Sequence, residues 1–146
     1  MDPKLLAVFA AALCIIVCSG AAAYSIKTCA PALASVTSER SELGSKLLIT
    51  IILGEALAIY GLLIAFMIIA RIPDIETEYE GTQALLAGVT MGGTAIFASI
   101  GIAFCGPAMM TAAAERPQSF TTNILGLVLS EALAIYGLLI AFMLNG

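Results

Sequence analysis

Histidine and tryptophan are absent from this chain of 146 residues, and charged side chains make up only 11% of it. An average soluble domain carries about 25%. With no His and no Cys-x-x-Cys pair, the four cysteines (Cys14, Cys18, Cys29 and Cys105) lack the ligand set of a zinc site. Cys14 and Cys18 stand one helical turn apart and read as small apolar filler, so no disulfide, metal or cofactor is assigned. No Gly-x-x-x-x-Gly-Lys-[Ser/Thr] loop occurs, so the chain has no such cradle for nucleotide phosphates. The six basic residues form no stripe and the net charge is −4, which removes nucleic acid from the partners.

What fills the chain instead is hydrocarbon: 61% of it is apolar. Four stretches, Leu5–Ile26, Leu47–Ala70, Ala84–Ala114 and Asn123–Gly146, hold almost no charge. Each is long enough to cross a hydrocarbon core, which takes roughly 20 helical residues. Lipid offers the backbone no hydrogen bonds, so such stretches are predicted to be helices. The expected fold is an all-α membrane protein with four transmembrane helices.

One phrase occurs twice. Residues 55–67 and residues 131–143 both read EALAIYGLLIAFM, 76 residues apart. The same shift lays Cys29-Ala30-Pro31 on Cys105-Gly106-Pro107 and Glu39-Arg40 on Glu115-Arg116 without a gap. The chain therefore divides into two helical hairpins, residues 1–75 and residues 76–146, joined by an acidic linker in which Pro73 ends the second helix. The opening run MDPKLLAVFAAALCIIVCSG has the shape of a secretory signal, but its repeat partner lies in mid-chain. Cleavage would strip one hairpin of its first helix.

A repeat that crosses the membrane an even number of times keeps its direction, so the two hairpins are parallel rather than inverted. Parallel copies set side by side make heterologous contacts, which close into a ring if the rotation allows. The first helix of each hairpin is rich in small residues: Ala10, Cys14, Cys18 and Ala22 in one, Gly88 and Gly92 in the other. Such stripes let helices approach closely. These helices suit an inner layer, and the bulky second helices suit a lipid-facing outer one. The basic residues near the loops (Arg40, Lys46, Arg116, with Lys27 close by) outnumber those at the opposite end (Lys4, Arg71), which places the loops in the cytoplasm.

Glu55 follows Leu47 by eight residues, about 12 Å along a helix, and Glu131 is its repeat partner. An intramembrane acid is by default a functional ion site. Burial disfavours the charged form of a carboxyl. A protonated Glu is thus tolerable facing lipid, whereas an ionised one needs a cation or a positive partner. The competing structural role is a Glu fixed in a hydrogen bond or ion pair that only orients helices. Lys27 stands near the level of Glu55 and is a candidate for such a pair, although its long stem also lets it snorkel to the interface. Ala103 replaces it in the second hairpin. Tyr60 and Tyr136 each follow their Glu by five residues, about 140° round the helix. Neither is expected to face its own carboxyl, but a neighbouring hairpin can supply one as a hydroxyl donor.

The whole chain resembles the proteolipid (c or K) subunit of A-type and V-type rotary ATPases. The resemblance rests on two fused hairpins, a small-residue first helix in each, and a Glu-x-x-x-[Ile/Leu]-Tyr-Gly-Leu run in each second helix. Glu55…Ile59-Tyr60-Gly61-Leu62 and Glu131…Ile135-Tyr136-Gly137-Leu138 fit that run, and the loop Ala114-Glu115-Arg116-Pro117 is similar to the family's polar loops. The resemblance implies a homo-oligomeric rotor ring in the lipid bilayer, with Glu55 and Glu131 as reversible ion carriers supported by Tyr60, Tyr136 and Ser130. It further implies a stator subunit supplying an arginine, and a central-stalk subunit meeting Glu39, Arg40, Glu115 and Arg116. ATP chemistry would belong to a separate soluble head, so no catalytic residue is expected on this chain. Many fused members keep an acid only in the second hairpin, whereas this chain keeps both.

The expected ion is the proton. Sodium-type rings of the family bring a Gln from the first helix of the hairpin, near where Ile26 and Ile102 stand here, and neither helix has a membrane-embedded Gln. Hydroxyls on Ser25, Ser99, Ser130 and Tyr136 leave sodium as the alternative, since hard cations want several oxygens. A small proton-coupled multidrug exporter also has four helices and a membrane Glu. It would call for aromatics about the acid and usually antiparallel assembly, and neither fits a Trp-free parallel repeat. A purely structural tetraspan proteolipid would not need two acids at one depth.

Overall fold

The computed structural model describes residues 2–146 and is helical almost throughout. The elements are α1 (Pro3–Glu39), α2 (Gly44–Leu47), α3 (Ile49–Arg71), α4 (Glu78–Glu115) and α5 (Phe120–Asn145), with short 3-10 turns at the three joints. Leu48 separates α2 from α3, so the two form nearly one rod. Among the described residues, four helical stretches are long and apolar enough to cross a membrane.

The first helix of each hairpin is longer than its apolar stretch. The sequence marks hydrocarbon over 5–26, yet α1 runs on to Glu39 through Pro31, about 20 Å further. A proline inside a helix removes one backbone hydrogen bond. Packing carries the helix past it: Cys29 and Val36 remain buried beyond the apolar stretch. The hydroxyls of Thr28, Thr37 and Ser38 donate to carbonyls three or four residues back. α4 also passes through a proline, Pro107, but there the apolar stretch 84–114 already reaches to within one residue of the helix end at Glu115. The expected polar loops are thereby reduced to tight turns after Arg40 and Arg116.

Glycine sets the register within each hairpin. A Cβ on Gly54 would sit 2.8 Å from Ser25 Oγ, and one on Gly61 would overlap the Cys18 side chain. In the second hairpin Gly101 abuts Ser130, Gly126 abuts Cys105, and Gly137 abuts Thr94. Shifted by 76 residues, these contacts fall on one antiparallel register, so the two hairpins are copies in packing as well as in sequence.

The hairpins join through α1 and α4, which lie parallel along most of their length. Gly81 meets Pro3, Gly88 meets Ala10 and Cys14, Gly92 meets Val17, and Gly106 meets Cys29. The opposing side chains are mostly small, so the backbones come close, which is how helices associate in lipid. α3 and α5 flank this pair and touch each other more sparingly. Their Leu, Ile and Phe side chains, such as Ile59, Phe66, Leu129 and Leu139, point outward.

The end of the bundle away from the loops is pinned by polar bonds. Lys4 Nζ donates to the Pro73 carbonyl at 3.0 Å, and Arg71 Nη1 donates to the Asn145 carbonyl at 2.9 Å. α4 opens on a capping box. The Thr77 hydroxyl accepts from Glu80 N at 3.3 Å, and Glu80 Oε2 accepts from Thr77 N at 2.9 Å.

Two glycines separate close packing from open space. Gly61→Ala must displace Cys18 and is expected to cost roughly 1–3 kcal/mol. Gly20→Ala meets nothing within 4 Å and is expected to stabilise α1 by roughly 0.5–1 kcal/mol. Thermal unfolding of the detergent-solubilised protein should show the two midpoints moving in opposite directions.

Candidate ion-binding site

Glu131 sits mid-way along α5 and is 8% exposed, the only charged side chain among the described residues to be buried. No residue of its own hairpin bonds it. Tyr60, from α3 of the other hairpin, donates its hydroxyl to Glu131 Oε1 at 2.7 Å. A hydrogen bond to an ionisable carboxyl at that distance is short and well formed. The two residues are 71 apart rather than 76, which leaves five residues, about 7.5 Å of helix, to be spanned. A long helical side chain leans toward the N-terminus of its own helix, and on α3 that is the direction of Glu131. The spacing that turns Tyr60 away from Glu55 is thus the spacing that delivers it to Glu131.

Glu55 has different surroundings. It is exposed, and among the described residues its side chain has no hydrogen-bond or ion-pair partner. Lys27, the candidate partner, is also exposed and, among the described residues, unpaired, although Gly54 touches Ser25 and Ile26 and so sets Glu55 near the level of Lys27. Tyr136 is 60% exposed and bonds no carboxyl. The two repeats therefore differ in site geometry despite identical words in the sequence.

The supporting hydroxyls turn to the main chain. Ser130 Oγ donates to the Gly126 carbonyl at 2.8 Å, Ser25 Oγ to Ala22 O at 2.9 Å, and Ser99 Oγ to Ile96 O at 2.7 Å. Ser25 and Ser130 do share one structural duty. Ser25 on α1 packs against Gly54 on α3, while Gly101 on α4 packs against Ser130 on α5. One small hydroxyl faces one glycine in each hairpin, with the two partners exchanged. Laying the halves side by side, residue 25 on 101 and 54 on 130, makes that exchange readable, yet composition and periodicity do not flag it.

The loop residues Glu39, Arg40, Glu115 and Arg116 are all exposed, at the same end of the bundle. Each pair closes a long helix, where Arg40 N and Arg116 N bond the carbonyls of Val36 and Ala112. The four cysteines are free. Cys14 Sγ lies 3.6 Å from the Gly61 carbonyl and Cys29 Sγ 3.7 Å from that of Ile102, both as packing contacts between helices.

Two parallel, in-register hairpins with an acid half-way along each second helix define a tandem-hairpin integral membrane protein. The family follows from comparison with known proteins. The family model of the ATP synthase c subunit matches twice, over residues 9–68 and 85–144. The chain belongs to that family, as two fused copies of its hairpin. It is 32% identical over 124 residues to the V-type proton ATPase 16 kDa proteolipid (c) subunit of Rattus norvegicus, covering 85% of this chain and 80% of the relative. The Homo sapiens protein of the same description is 31% identical over 124 residues, with the same shares of each chain. A Caenorhabditis elegans V-type proton ATPase 16 kDa proteolipid is 32% identical over 127 residues, 85% of this chain and 79% of its own.

Tyr60→Phe removes the donor to Glu131 and keeps the aromatic side chain. Reaction of Glu131 with a hydrophobic carbodiimide should then quicken by roughly 2- to 10-fold, the range that one net hydrogen bond spans. Peptide mass spectrometry should find Glu55 unchanged.

Proposed function

We propose that this chain is the ion-carrying subunit of a membrane rotor ring in a V-type or A-type rotary ATPase, with Glu131 and Glu55 as reversible proton carriers. The observation that carries the proposal is Glu131. It is an ionisable group, buried in an apolar helix, whose one hydrogen bond comes from a neutral hydroxyl on the adjoining hairpin. Membership of the ATP synthase c subunit family and likeness to proton-ATPase proteolipids support it.

The chemistry is a two-state cycle. With its proton, the Glu131 carboxyl is neutral and can face lipid at small electrostatic cost. The Tyr60 hydroxyl donates to the other carboxyl oxygen and keeps the acid folded against the bundle. Without its proton, the carboxylate is stable only in water or beside a cation. An arginine on a stator subunit meets that need and separates the loading step from the unloading step. Rotation then follows, because a loaded site can leave the stator for lipid and an unloaded one cannot. The tight loops at Glu39-Arg40 and Glu115-Arg116 supply the exposed charged surface for a central-stalk subunit, and the nucleotide work lies on other subunits.

Proton rather than sodium fits the donor set. A sodium ion takes several oxygen ligands, whereas the Glu131 carboxyl is served by one tyrosine, and neither α3 nor the stretch 84–114 of α4 holds a Gln or Asn to add another side-chain carbonyl.

Carbodiimide labelling against pH tests the function. Both Glu55 and Glu131 should react, with labelling falling as pH rises because the reagent takes up the acid's proton, and added sodium should change nothing. Protection by sodium would replace the proton as the carried ion. Absence of reaction at both residues would remove the carriers.

A further inference from the structure

The end of the bundle away from the loops carries a groove between α3 and α5 that the ion site does not use. Its volume is about 360 Å³, within the range of small-molecule sites. The apolar wall is Phe66, Met67 and Ala70 of α3, and the polar rim is Arg71, Asp74 and Asn145. Phe66 and Ala70 are exposed, so in a bilayer this wall faces lipid.

Each polar member of the rim is short of a partner. Arg71 Nη1 donates to the Asn145 carbonyl at 2.9 Å, and the rest of its guanidinium bonds nothing among the described residues. The Asp74 carboxylate is exposed and makes no hydrogen bond or ion pair among them. Asn145 is only 4% exposed, yet its Oδ1 has no donor. A buried acceptor left unbonded is costly, so the groove lacks a donor that a ligand can bring.

Position and charge decide the class of ligand. Arg71 directly follows the apolar run that ends at Ala70, so it stands where hydrocarbon gives way to headgroups. Its guanidinium matches the oxygens of a phosphate. The ligand must also carry a cation, because acids flank the arginine. Asp74 lines the same rim, and Glu80 near the start of α4 lies within electrostatic reach of Arg71. A headgroup with negative charge alone would leave Asp74 without a counter-ion. A quaternary ammonium has the charge but no N–H for Asp74 or Asn145, whereas a primary ammonium brings three donors.

We propose that this groove binds a phospholipid with a phosphoethanolamine headgroup, its phosphate on Arg71, its ammonium on Asp74 and the Asn145 amide, and its chains along Phe66, Met67 and Ala70. The site is independent of which ion the protein carries. Such a lipid joins the two hairpins, since Arg71 ends α3 and Asn145 ends α5, two helices that otherwise touch sparingly. It does so on the seam that holds the ion site. Arg71 follows Tyr60 by eleven residues and Asn145 follows Glu131 by fourteen, which returns each to within about 40° of the same helix face.

Native mass spectrometry of the delipidated protein in its native oligomeric state, titrated with defined lipids, tests the selectivity. Phosphatidylethanolamine should be retained roughly 2- to 5-fold more than phosphatidylcholine of the same chains, the range that one exposed ion pair spans. Phosphatidylglycerol should not exceed it. Asp74→Asn breaks no hydrogen bond or ion pair among the described residues and should bring the two zwitterionic lipids to equal retention. Free phosphoethanolamine, which lacks the chains, should not compete at the same concentration. Equal retention of the two zwitterionic lipids by the wild type, stronger retention of phosphatidylglycerol, or no effect of Asp74→Asn would each overturn the proposal. Displacement by free phosphoethanolamine would make the ligand a soluble amine phosphate and overturn the lipid.

A second measurement fixes the place without altering the protein. Phosphatidylethanolamine with a photoreactive diazirine high on one chain, irradiated in vesicles with the wild type, should attach to the peptide holding Phe66, Met67 and Ala70. Labels spread evenly along α3 and α5, or confined to the loop end, would overturn the proposal.

Discussion

A carboxyl at hydrocarbon depth must hold a proton, meet a cation or be hydrogen-bonded, and most features of this bundle follow from how Glu131 meets that demand. Its own helix does not help, because the Ser130 hydroxyl donates to the Gly126 carbonyl and Tyr136 points elsewhere. Help comes from the other hairpin through Tyr60. That requires α3 and α5 to run in the same direction, which two tandem hairpins guarantee and an inverted repeat would not. It also requires the bundle to be stiff enough to hold a 2.7 Å contact between helices that otherwise touch little. Stiffness is supplied by α1 and α4, whose glycines and small opposing side chains lock the hairpins together at the centre.

That inner pair is sensitive to small changes in volume. Interiors packed at crystal-like density transmit the addition of a methyl group, and a Cβ on Gly88 would lie 2.7 Å from the Ala10 carbonyl oxygen. Where one helix gains bulk the other must lose it. The Ser25–Gly54 and Gly101–Ser130 contacts follow that rule with the roles reversed. Each hydroxyl also bonds a carbonyl on its own helix, so neither is left unsatisfied in a medium that would penalise it.

Much of this was legible in the sequence. Hydropathy and the 76-residue repeat gave the four helices and the parallel hairpins, because lipid leaves the backbone no other choice. The helical angle between Glu and Tyr pointed to a donor from another hairpin, and Tyr60 does reach Glu131. The inequality of the two sites was not legible, since the words around Glu55 and Glu131 are identical and burial depends on which neighbour is present. Nor was the length of α1. Polar residues and Pro31 mark an end to the apolar stretch, but the helix continues wherever a face such as Cys29–Val36 still packs. The Arg71–Asn145 and Lys4–Pro73 bonds join residues about 70 positions apart whose approach only the packed bundle defines.

Keeping an acid in both hairpins has a mechanical consequence in the proposed ring. The torque needed to move one ion depends on the potential it crosses, while the number of ions per turn depends on how many acids pass the stator. Two carriers per chain double that number for the same set of hairpins. Each ATP is then coupled to more ions, which favours synthesis from a shallow gradient over pumping against a steep one. The two carriers are not interchangeable, however. One is enclosed within a single chain beside Ala103, and the other is bare on the flank that carries Lys27. A rotor of this composition would present the stator with two alternating kinds of step, and the slower of the two would set its pace.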